Sequence, residues 1–107
     1  MSAKYWQRGE TIDYTATEAV SNGDVVDLVT RIGVAGNDIG ANETGAVHVV
    51  GVFEFPKASG EITLGAAVYW DKSAKNITTT SESNTPAGWA VAAAKSGDAT
   101  ALVKLLG

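Results

Sequence analysis

The chain has 107 residues, no cysteine, and 8 Lys and Arg against 12 Asp and Glu, a formal charge of −4. That length suits one domain, which buries roughly two-thirds of its unfolded surface and so can build a core without staples. The missing cysteines exclude disulfides, thiolate metal sites and cysteine nucleophiles. The basic residues are scattered along an acidic chain, which argues against nucleic acid, a partner that needs clustered positive charge. No stretch approaches the ~20 apolar residues of a membrane span. Met1-Ser2-Ala3-Lys4 lacks the apolar run of a secretory leader. The protein is therefore expected to stay where it is made or to be carried elsewhere by assembly.

Residues 1–10 read as a polar N-terminal arm bearing an aromatic pair, Tyr5-Trp6. Two exposed aromatics could anchor a partner; equally, they could tuck against the chain's own core. Residues 11–107 read as the β body. From Thr11 the residues alternate, with Ile12, Tyr14 and Ala16 on one face, the period-two pattern of a half-buried strand. Ser21-Asn22-Gly23-Asp24 is a turn, because Asn-Gly supplies positive φ. Val25 to Val34 reads as strand, with Val26, Leu28, Ile32 and Val34 on one parity and Thr30-Arg31 as either a bend or a second turn. Ala35 to Gly45 lacks periodicity and reads as a loop.

Ala46 to Phe55 is the longest strand candidate, with Val47, Val49, Phe53 and Phe55 on one face and His48, Val50, Val52 and Glu54 on the other. Its middle is apolar on both faces, as in a central strand or one whose outer face around Val50 and Val52 meets another subunit. Pro56 ends it, since proline cannot donate to a ladder. Ala67 to Trp70 is a short strand, Asp71 to Lys75 a turn, and Asn76 to Thr80 a β-branched strand. Ser81 to Thr85 is a polar loop closed by Pro86. The alanines of Gly88 to Ala94 favour helix, yet its shortness and alternation make it a strand. Ser96-Gly97-Asp98 turns into a closing strand, Ala99 to Leu106. The sum is all-β: a small single-domain β-barrel or β-sandwich of short antiparallel strands.

Val20-Ser21-Asn22-Gly23-Asp24-Val25-Val26 resembles Ile62-Thr63-Leu64-Gly65-Ala66-Ala67-Val68. Each is followed by glycine, an apolar residue and alanine, as Gly33-Val34-Ala35 and Gly88-Trp89-Ala90. Two such units could pack as related halves. Glycine turns before valine strands also recur by chance in β-proteins, and on so few positions chance is the preferred reading.

No catalytic constellation emerges. His48 is the only histidine and alternates with Val50 on a strand, as a structural residue does. There is no nucleophile elbow. Asp24, Asp27 and Asp38 lack calcium-loop spacing, and the glycine-rich segments lack the lysine and following helix of a phosphate loop. Paired carboxylates for glycoside chemistry have no support beyond the abundance of acids. Trp70 and Trp89 could stack on sugar rings, making a carbohydrate-binding β module the alternative; core or subunit-interface roles are preferred. No enzyme activity, metal or cofactor is expected.

Gly51-Val52-Phe53-Glu54-Phe55-Pro56-Lys57 and Val68-Tyr69-Trp70-Asp71 resemble the DUF2190 family of bacteriophage and prophage capsid cement, or head decoration, proteins. The resemblance runs along nearly the whole chain. It includes Gly9-Glu10-Thr11-Ile12, the Ser21 to Val26 turn, Thr78-Thr79-Thr80, Asn84-Thr85-Pro86 with Gly88, and the closing Gly97-Asp98 with Val103-Lys104-Leu105. Trp6 and Trp89 depart from the family pattern, which has smaller aliphatics there. The resemblance implies a compact β-barrel or β-sandwich on the outside of an assembled capsid, commonly a homotrimer at a symmetry axis, with the major capsid protein as partner. On that reading, Tyr5, Trp6 and Arg8 of the arm are expected to contact the capsid, and the apolar outer face around Val50 and Val52 is expected to form the subunit interface. Residence on the capsid exterior of the virion, after synthesis in the bacterial host cytoplasm, follows from the same resemblance.

Overall fold

Residues in left-handed backbone cut the chain at short intervals. Gly23, Val29, Asn42, Gly51, Gly60, Gly65, Lys75 and Ser83 all take positive φ, and each such position ends a strand or turns a loop. A computed structural model describes residues 2–106; Met1 of the expected arm and Gly107 at the end of the expected body lie outside the described residues. The described residues hold nine strands and no helix. They are β1 (Thr11–Thr15), β2 (Val25–Asp27), β3 (Ile32–Ala35), β4 (Thr44–His48), β5 (Val52–Pro56), β6 (Ala67–Asp71), β7 (Asn76–Thr78), β8 (Thr85–Ala90) and β9 (Thr100–Leu105).

They form two antiparallel sheets. The first has the order β1-β4-β3-β2 and the second β5-β9-β8-β6-β7. The second curls until Lys57, just beyond β5, meets Ile77 of β7 in one parallel bridge. One bridge does not close a ladder, so the arrangement is sandwich-like rather than a closed barrel. The all-β expectation holds, but the strand expected over Gly88 to Ala94 is strand only to Ala90, and β8 begins earlier, at Thr85, inside the expected polar loop.

The longest expected strand is two strands. β4 ends at His48 and β5 starts at Val52, and they lie in different sheets. Gly51, at φ 120°, makes the corner, and its carbonyl accepts from Leu105 N–H of the second sheet. The expected apolar face accordingly divides. Val47 and Val49 join the core of the first sheet, and Phe53 and Phe55 that of the second. Val25 to Val34 also splits, at a turn where Leu28 N–H donates to Arg31 O at 2.8 Å. The turn resets the parity. Val26 packs in the first core, whereas Ile32 and Val34 point out of it into the second.

The echo between Val20 to Val26 and Ile62 to Val68 is a structural repeat, not chance. Rung by rung, β1–β4 pairs Thr11 with His48 through Thr15 with Thr44, and β5–β9 pairs Val52 with Lys104 through Pro56 with Thr100. The inner rungs Val34–His48 and Ala35–Val47 match Trp89–Lys104 and Ala90–Val103. The outer rungs Val25–Val34 and Val26–Gly33 match Ala67–Trp89 and Val68–Gly88. Flanking bridges match too, Val20–Ile39 with Ile62–Ala94. Even the turn bonds correspond: Asp24 N–H to Ser21 O at 2.9 Å, and Ala66 N–H to Thr63 O at 3.1 Å. β7 and its hairpin are the second half's addition.

This ladder explains the repeated glycine-apolar-alanine motif. A Cβ on Gly33 would lie 2.9 Å from His48 O, and one on Gly88 would fall on Lys104 O, the equivalent carbonyl. Both glycines are required by the same close approach of neighbouring strands.

Candidate functional site

Residues 2–10 enter no strand. Tyr5 and Trp6 are 79% and 85% exposed, so neither ring tucks against the chain's own core. Arg8 pairs with Glu10 at 3.1 Å, with both side chains largely in solvent. Gln7 Nε2 donates to Thr11 O at 3.0 Å, tying the end of the segment to β1. Two large aromatics in water are costly to leave uncovered and well suited to a partner surface.

Val50 and Val52 are also exposed, at 40% and 52%. They do not share one continuous strand as expected. Val50 lies in the corner between sheets, and Val52 opens β5, an edge strand. The structure brings Val52 instead onto a row running across the second sheet through Lys104 and Trp89 to Ala67. Leu102 stands beside Lys104 on the same face of β9 and is exposed. Sequence reasoning missed Leu102. Its signal was the alternation of β9, in which Ala101, Val103 and Leu105 are buried and Leu102 is not.

The tryptophans separate. Trp70 is buried beside Phe55, ring centroids 6.3 Å apart, and Trp89 is exposed on the opposite face. They do not make one sugar-stacking platform. Trp70 also floors an open groove of about 520 Å³ between the sheets. Tyr14, Val25 and Pro56 line it, with Asp27 and Lys72 among the charged residues of its wall. Asp27 Oδ2 accepts from Thr85 Oγ1 at 2.9 Å, a bond that joins the halves.

His48 is half-buried against the Phe53 ring at 5.8 Å. Lys57 is buried, and its Nζ donates to Ala58 O at 2.9 Å and Ser96 O at 3.3 Å, so it clips two loops together. Among the described residues no group of three or more His, Asp or Glu could hold a metal ion, and no buried side-chain polar atom lacks a partner.

A small two-sheet β-protein with exposed aromatics and apolar outer rows belongs to the class of binding and assembly proteins. The chain matches the family model for phage cement protein over residues 6–105 and belongs to that family. The matched range takes in Trp6 and Arg8, both sheets and the Val52 row. No curated protein and no solved structure matches the chain.

Proposed function

We propose that this protein binds the outer surface of an assembled phage capsid, contacts the major capsid protein, and stabilises the shell without catalysis. The observation that carries the reading is the pairing of family membership across residues 6–105 with the bare aromatic pair Tyr5-Trp6, of which Trp6 is the first matched residue. Tyr5 and Trp6 are the anchors, and Arg8 supplies a cation beside them. Many weak copies on a repeating lattice reinforce one another, so no deep pocket is needed. Val50 and Val52 contribute to contacts between copies, and the assembly on the capsid is a homotrimer.

The test mixes purified protein with expanded capsids that lack it. Saturable, stoichiometric binding and a higher capsid melting temperature are expected; absence of both rejects the proposal. Deleting residues 1–8 should weaken capsid binding by at least about tenfold while leaving the fold's melting temperature unchanged. Equal binding by the truncated chain would move the contact off the arm.

A further inference from the structure

The repeat assigns a partner to a face that the sequence did not single out. In the first half, one row crosses the sheet from Thr11 through His48 and Val34 to Val25. The second half covers this row. Val34 is 7% exposed and belongs to the second half's core, Val25 packs against that core, and His48 meets Phe53. The equivalent row in the second half is Val52, Lys104, Trp89 and Ala67. Nothing among the described residues covers it: Trp89 is 42% exposed, and Val52, Ala67 and the neighbouring Leu102 are exposed as well.

We infer that the Trp89 row is a docking surface for a second copy of this chain. Within the molecule, the matching face is already covered by a diverged copy of the same repeat, so the kind of unit that fits this face is the repeat itself. Stacked repeats bury the face that each presents to its neighbour, and an uncapped terminal repeat remains adhesive. Composition agrees. An exposed tryptophan among apolar neighbours marks a contact surface rather than a solvated sheet, tryptophan being among the residues most enriched in hot spots. Lys104 sits in the row, and Glu54, which accepts from Thr100 Oγ1, lies two rungs along β5 on the same face, so a lysine–carboxylate pair can form between copies at the edge of the apolar contact. The inference rests on the subunit-contact part of the proposed function and not on capsid binding.

Sedimentation velocity on the purified full chain over a concentration series tests it. Self-association is expected. Trp89→Lys and Leu102→Lys should each raise the dissociation constant at least about thirtyfold, with unchanged circular dichroism. The chain lacks cysteine, so a fluorophore on Leu102→Cys gives a second readout that keeps the native tryptophan. Its emission should shift to the blue as concentration rises, while one on Ala3→Cys should not. A chain that stays monomeric at high micromolar concentration, lysine variants that assemble like the parent, or an unmoved fluorophore at position 102 would each overturn the inference. Self-association without capsid binding would reject the cement reading and leave this surface standing.

Discussion

In the first half, Ala16 and Val49 fill positions that Lys57 and Leu105 fill in the second, one residue past matching rungs of the same ladder, and Trp70 of the second half, past a bulge after Val68, has its chain-order counterpart in Leu28. The second half therefore holds the bulkier core, adds β7, and draws Ile32 and Val34 across from its neighbour. The first half has a thin core of small side chains and loses an outer face to the second. One architecture thus yields two roles. The second half supplies most of the buried apolar volume, and the first is held partly by being docked to it. The difference teaches that repeat symmetry fixes backbone pairing but not burial, because burial depends on what each face meets.

The comparison can be broken most severely at the paired glycines. Gly88→Ala sets a Cβ on the Lys104 carbonyl, where only backbone could yield, and should cost more than about 4 kcal/mol or prevent folding. Gly33→Ala meets the Val47 methyl and His48 O; part of that clash can be relieved by a side chain, so the cost should be about 1–3 kcal/mol. Urea unfolding reads both, and equal costs would show that the Val47 side chain gives no relief and that the two ladders are equally constrained. A second contrast lies at matching positions of β1 and β5. Phe55→Ala empties a buried site and should cost about 3–5 kcal/mol, whereas Tyr14→Ala, on the groove wall, should cost about 1 kcal/mol. A larger loss at Tyr14 would make the thin core the dominant one. The smallest effect is expected at the seam. Thr85→Val removes the bond to Asp27 and should cost about 1 kcal/mol. Thermal melts that separate into two transitions would sharpen the picture of a docked first half.

Much of the fold was legible. Alternation placed β1, β6 and β9, and the Asn22-Gly23 and Ser96-Gly97-Asp98 turns fell where expected. The stretch from Gly88 is not helix, as its shortness and spacing indicated, but it is strand only to Ala90; Val91 to Ala94 leave the ladder, and β8 starts within the expected loop at Thr85. The misreadings share one cause. Parity along Val25 to Val34 and Ala46 to Phe55 was sound locally, but a tight turn at Val29 and a corner at Gly51 hand the chain to another surface. Period two cannot register that event, since the residues on either side keep alternating. Of the expected site, Tyr5 and Trp6 are exposed as an anchor requires, and Val52 lies on an outer face. Trp89 was noticed as core or interface, but the row around it was not, because its members come from four strands far apart in sequence.

The sequence by itself determined the strands, the turns and the family, since these rest on local backbone preferences and on the order of short motifs. Tertiary structure alone decided that Gly51 divides the apparent central strand, that the faint echo is a repeat, and that Val34 is covered while its counterpart Trp89 is bare. The physical reason is that side-chain alternation marks two faces of every strand, whereas covering a face depends on a neighbour brought there by contacts between residues distant in the chain.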